Sequence, residues 1–214
     1  MHIRYLILFA SLPFFNTAYA QMEVKDIAGE YYLEGVMEVA SGFQLRDDQT
    51  FEFFFSYGAL DRTGKGTWQV LGNNIVLNSE AWPGTDFKLE KQERRRQKEI
   101  IVQVNDKNKM FLGNIGGIVT GDGKVQELQS DNDGIISFAA QTPDTISLYH
   151  QFYSDSLSVF PVTDPKANYF EFTFQPHLGT VFFRNFILTP AQHGLTGGNP
   201  LMKEGKDYHY IKSE

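Results

Sequence analysis

The stretch from Ser41 to Trp68, SGFQLRDDQTFEFFFSYGALDRTGKGTW, gathers residue types that can hold a small molecule. Tyr57, Trp68 and, farther on, Trp82 each join an apolar ring to a polar tip, a combination suited to the rim of a pocket. Asp61 ends the segment Tyr57-Gly58-Ala59-Leu60-Asp61, whose composition reads as a working loop, and loops on rigid sheets often carry binding groups. Tyr57, Asp61, Trp68 and Trp82 are therefore the expected ligand-binding residues. The competing reading makes the rings of this stretch ordinary core. Phe43, Leu45, Phe51, Phe53, Phe55, Trp68 and Val70 fall on alternating positions that would line one inner face of a curled sheet.

Catalytic and metal chemistry find less support. His150 alternates with Ile146, Leu148 and Phe152 and reads as a hydrogen-bonded core residue. His177, His193 and His209 show no metal-ligand spacing. The nearest approach to a nucleophile elbow, Phe54-Phe55-Ser56-Tyr57-Gly58, lacks its first glycine. Gly113-Asn114-Ile115-Gly116-Gly117 has no following Lys-Ser or Lys-Thr to hold a phosphate. Asp131 and Asp133 before Gly134 suggest calcium, but the closing Glu of such a loop would fall on Ala140, and a hairpin turn explains the same residues. No catalytic residue, metal ligand or cofactor is assigned on these grounds.

Charge and cysteine content narrow the partners. The 214 residues carry a net charge of −7 and no cysteine. An acidic surface repels phosphate backbones, which excludes nucleic acid as a partner. The absence of thiols excludes disulfide scaffolds, thiolate-bound zinc and cysteine nucleophiles. Residues 1–20, MHIRYLILFASLPFFNTAYA, place a basic start before a short apolar core and a small-x-small end, the pattern of a secretory signal peptide cleaved before Gln21. Loss of Arg4 with it takes the charge to −8. No later apolar run reaches membrane-spanning length. Export without disulfides points to a bacterial periplasm or exterior.

The elements that must position these residues are strands. Apolar residues alternate by two through TFEFFFSY and NYFEFTFQ, with Phe54 standing on the polar side of the first run beside Glu52 and Ser56. Turn clusters rich in Gly, Asn and Asp punctuate such runs, so the fold class is all-β, two small antiparallel domains. The N-terminal strands are expected at 31–36, 42–46, 50–57, 66–71 and 74–78. Residues 88–99, KLEKQERRRQKE, are almost wholly charged or polar; Arg94-Arg95-Arg96 could form an anion-binding patch, but Glu90, Glu93 and Glu99 partly neutralise them, and the segment reads as a solvated linker or short surface helix. The boundary is placed there, giving domains at 21–93 and 94–214. The tail from Thr189 is expected to wrap the edge of the second domain.

Gly29-Glu30-Tyr31 opening the first strand, Asp48-Gln49-Thr50-Phe51 in the next hairpin and Gly66-Thr67-Trp68 together resemble bacterial lipocalin-like domains, with Tyr31 where those usually carry Trp. That resemblance covers about fifty residues and implies an up-and-down meander. Ser130-Asp131-Asn132-Asp133-Gly134 with Phe138, within residues 100–150, resembles the transthyretin-like sandwich of carboxypeptidase regulatory-like domains. That family implies a structural or sugar-binding appendage. The function expected is an exported, non-enzymatic protein that binds a small apolar or sugar-like ligand, or an envelope partner. Two alternatives stand beside it: a glycan-acting hydrolase with carboxylates such as Glu80 and Asp86 between the domains, and a structural assembly subunit.

Overall fold

The computed structural model describes residues 23–213, so the expected signal peptide lies outside the described residues. After one turn of helix, Val24–Ile27, the chain forms β1 (Gly29–Glu34), β2 (Val39–Leu45), β3 (Thr50–Tyr57), β4 (Leu60–Leu71) and β5 (Asn74–Asn78), each antiparallel to the one before. The strands expected from the alternation are all present. The main difference is β4, which begins at Leu60 rather than Gly66 because an inward Arg62 interrupts its apolar pattern.

The chain then leaves this meander. It runs through β6 (Phe87–Glu93), β7 (Ile100–Asn105), a 3-10 turn at Lys109–Asn114, β8 (Ile115–Gly121), β9 (Lys124–Gln129), β10 (Ile135–Phe138), β11 (Thr145–His150), β12 (Ser158–Pro161) and β13 (Tyr169–Phe174). It returns as β14 (Thr180–Val181), β15 (Phe186–Ala191), β16 (Gly194–Gly197) and β17 (Tyr208–Lys212). β15 pairs with β5, β16 with β15, β17 with β16, and β17 with β1, which closes an eight-stranded barrel. The tail from Thr189 thus completes the barrel instead of wrapping the second unit. It removes both free edges of the meander.

Eight strands enclose a space just wide enough for side chains. Phe43, Phe51, Phe53, Trp68, Phe183 and Tyr210 fill it, joined by aliphatic residues from β5, β15 and β16. Gly64 and Gly66 stand on the inward face of β4, where a Cβ would lie 2.6 Å from Cε2 of Phe183 and 2.9 Å from Cε1 of Phe51. Gly64 is bare so that the Phe183 ring can pack over it, and Gly66 so that both the Asn78 carbonyl and the Phe51 ring can approach. The expected inner row is core as the alternation implies.

β6 to β13 form two four-stranded sheets, ordered β10-β7-β13-β6 and β12-β11-β8-β9. They share a second core that includes Phe87, Val102, Val119, Phe138, Leu148 and Phe172. The expected boundary between residues 93 and 94 falls inside one of these sheets, because β6 and β7 both pair with β13. The charged run is neither joint nor helix: residues 88–93 belong to β6, and residues 94–99 arch over the start of β13. Two pairings, β13 with β7 and β14 with β4, are parallel, against the antiparallel expectation. For β7 the reason is the arch, which turns the chain back against β6 and so alongside β13. Asp131 accepts hydrogen bonds from the backbone N–H of Asp133 and Ile135, both at 2.9 Å, and Gly134 has φ +80°, so this segment is the hairpin turn.

Barrel and paired sheets meet where the two connecting segments run side by side. Gln175 N–H donates to Asp86 O at 2.9 Å, and His177 Nε2 donates to Thr85 O at 2.9 Å. Arg62, only 4% exposed, reaches across with Nη1 and Nη2 to both oxygens of Asp155 at 2.7 and 2.8 Å, while its Nε donates to Gly179 O at 3.1 Å. Asp155→Ala is expected to cost about 2–3 kcal/mol, the upper range for hydrogen bonds to a charged group. The value stays below that for a fully buried pair because Asp155 is 55% exposed. Urea unfolding checks it; a loss near zero would mean water replaces the carboxylate.

Candidate functional site: the outer face of the barrel

The four expected binding residues do not come together. Trp68 is 2% exposed inside the barrel, and its Nε1 donates to Arg46 O at 3.1 Å. The alternation that made it a core candidate decides against the pocket rim. Tyr57 and Leu60 flank a two-residue hairpin turn, Gly58-Ala59, with Gly58 at φ +59°, and Asp61 follows on β4 opposite Ser56. Positive φ at the first central position alone is what a type II′ turn requires, so the segment is a tight turn after all. Trp82 lies half-buried on the first connecting segment, donating from Nε1 to Asp86 Oδ1 at 2.9 Å.

The pair proposed for hydrolysis is also separated in character. Asp86 is buried, bonded to Trp82 and 3.7 Å from His177 Nε2, whereas Glu80 is exposed. His150 is the core residue its alternation implied: its Nε2 lies 3.1 Å from Phe111 O and its Nδ1 accepts from Phe152 N–H at 3.3 Å, which fixes a neutral tautomer. Burial holds its pKa down at about 4. Among the described residues no group of three His, Cys, Asp or Glu could hold a metal ion.

A site of a different kind emerges from the strand register. Outward positions of β1 to β4 align in two cross-strand rows. One is polar: Glu30 stands opposite Gln44, Gln44 opposite Glu52, and Glu52 opposite Lys65. The other is aromatic: Tyr32 stands opposite Gly42, Gly42 opposite Phe54, and Phe54 opposite Thr63. Because Gly42 has no side chain, the rings of Tyr32 and Phe54 approach over it to 6.1 Å between centroids. A Cβ there would lie 2.9 Å from Cε1 of Phe54. Both rings remain partly exposed, at 46% and 36%.

These rows line a groove of about 570 Å³. At Glu52, Lys65 and Thr180 it joins a second concavity of about 940 Å³ that reaches Glu80 and His177 on the connecting segments. Tyr32 Oη donates to Glu30 Oε2 at 2.7 Å, and that bond to a carboxylate raises the phenol's pKa. Glu52 pairs with Arg46 at 2.9 Å, and Arg46 also donates to Gln44 Oε1 at 2.8 Å. The surface thus presents two ring faces beside a line of carboxylate, amide and ammonium groups. The one signal of it in the sequence was Phe54, an aromatic ring on the polar side of an alternating strand.

No family model, curated protein or solved structure matches this chain. Glu30 and Glu52 stand two strands apart, roughly 9–10 Å at the backbone by sheet spacing. The general acid of a glycosidase is a carboxyl sheltered from water. Both of these are exposed, and Glu52 is ion-paired.

Proposed function

We propose that the chain is an exported binding protein whose barrel takes a polyhydroxylated, sugar-like ligand on its outer face. The observation that carries this reading is the pairing of the two rows. Exposed rings supply flat apolar faces for the C–H side of a sugar ring, and the adjoining Glu30, Gln44, Glu52 and Lys65 supply donors and acceptors for its hydroxyls. The groove's volume falls within the ~300–1,000 Å³ of ordinary small-molecule sites. A small apolar ligand inside the barrel, as the lipocalin-like resemblance would suggest, is disfavoured by an interior already filled with rings. On this reading the paired sheets are a sandwich-type domain inserted between the fifth and sixth barrel strands, serving as an appendage. Export rests on the pattern of residues 1–20.

Affinity electrophoresis through gels containing soluble β-glucan, xylan, chitosan or starch tests the proposal. The chain from Gln21 should be retarded by at least one. Phe54→Ala and Tyr32→Ala should each weaken that retardation about tenfold, the equivalent of one aromatic contact. Unaltered retardation in the double variant would remove the outer face as the site.

A further inference from the structure

A second surface, unrelated to the groove, lies at the opposite pole of the paired sheets. β6 begins at Phe87, next to the connecting segment, and ends at Glu93, about 20 Å away by strand rise. The arch of residues 94–99 starts there, so it sits on the end remote from the barrel. It carries Arg94, Arg95, Arg96 and Lys98, and Lys166 on the neighbouring loop lines the same shallow concavity of about 800 Å³. Five of the chain's 19 Lys and Arg are thus collected on one end of a protein whose net charge is −7. Among the described residues no acid lines that concavity; Glu93, Glu99 and Asp164 flank it.

The Asn168 side chain makes three hydrogen bonds to the backbone of the arch. Asn168 accepts from Arg95 N–H at 2.7 Å and donates to Gln97 O at 2.6 Å and Arg95 O at 3.3 Å. Arg95 is used internally, with its Cζ 3.1 Å from the centre of the Tyr169 ring and an ion pair to Glu93 at 2.7 Å. Arg94, Arg96, Lys98 and Lys166 are exposed and have no ion-pair partner among the described residues.

We propose that this pole docks the protein on an anionic, phosphate-bearing lipid surface. Like-charged side chains gathered on a fixed loop repel one another, and a partner of opposite charge relieves that repulsion. The concavity is shallow, and its lining offers Pro165 and the buried Ala167 but no aromatic ring to stack a base or sugar. Recognition there is by charge alone, which fits a plane of headgroups. Docking by this end would point the barrel, and its groove, away from the surface.

Vesicle flotation tests the proposal with the chain from Gln21, which keeps every strand. Vesicles are either phosphatidylcholine alone or phosphatidylcholine with about 30 mol% phosphatidylglycerol. The protein should float with the anionic vesicles at about 50 mM salt, not with the neutral ones, and should be released at about 500 mM. Arg94→Gln/Arg96→Gln/Lys98→Gln should weaken flotation at least tenfold with an unchanged thermal melt. Lys166→Gln, on a different segment, should weaken it about fivefold and decides the matter if the triple variant fails to fold. Equal flotation with both vesicles, no flotation with the anionic ones, or variants that float like the parent would overturn the proposal. So would retention on a heparin column without vesicle binding, which would assign the pole to a soluble polyanion.

Discussion

Phe183→Ala should cost the barrel about 3–5 kcal/mol, the range for removing a phenylalanine from a packed core. Phe183 reaches the barrel only after the chain has completed the paired sheets, yet its ring lies 5.0 Å from Phe51, 5.2 Å from Phe53 and 5.2 Å from Phe186. Gly64 leaves the space it occupies. The neighbouring rings sit in a closed barrel and cannot collapse far into the hole, so the cavity term is added to the lost transfer term. Urea denaturation gives the value. Asp61→Ala, on the exposed hairpin end, should stay within about 0.5 kcal/mol in the same experiment. A loss below 1 kcal/mol for Phe183→Ala would mean that the returning strands do not share the core of the meander.

Acid should remove a further part of the stability through His150. Its pKa in the fold is about 4, against an ordinary 6.5, because burial disfavours the charged ring. The unfolded chain therefore binds a proton near pH 6.5 that the folded chain refuses. The stability conferred by the neutral ring is whole above about pH 6.5 and drains away as the pH falls toward 4, by about 3 kcal/mol in total. Carboxylates also titrate in the lower part of this window, so the comparison is with His150→Gln. The wild type should lose more stability than the variant between pH 7 and pH 4.5. Parallel losses in the two proteins would show that the imidazole takes up its proton without opening the fold.

The strands and the inner face of the barrel were legible because both depend on local alternation. Phe51, Phe53 and Phe55 announce their burial in eight residues. His150 was legible for the same reason. What stayed hidden depends on pairings between distant segments. Closure by β15 to β17 joins Leu77 to Phe186 and Tyr32 to Ile211, and nothing in either partner's neighbourhood names the other. The charged run of residues 88–99 reads as a linker because charge is a local property, while the β6–β13 pairing that takes its first half into a sheet spans about eighty residues. Arg62 misleads similarly: an inward arginine looks like a surface residue until Asp155 and Gly179 O are brought to it.

The candidate site was less legible than the fold. Glu30, Gln44, Glu52 and Lys65 are unremarkable polar residues on four strands, and only the register makes them a row. A shift of one residue in any strand would send its member inward. Tyr57, Asp61 and Trp82 drew notice through residue type, but the backbone separates them. Phe54 alone carried information, and its meaning appeared only with Gly42 and Tyr32 beside it.

The most direct test of the outer-face reading is a map of amide chemical-shift changes during titration with the polysaccharide fragment that retards the protein best. The largest changes should fall on Glu30, Tyr32, Gln44, Glu52, Phe54 and Lys65, with Trp68, Leu188 and Tyr210, buried in the barrel and away from the groove, shifting least. Changes centred on the barrel interior or on the hairpin between Tyr57 and Asp61, with the two rows unmoved, would contradict the account.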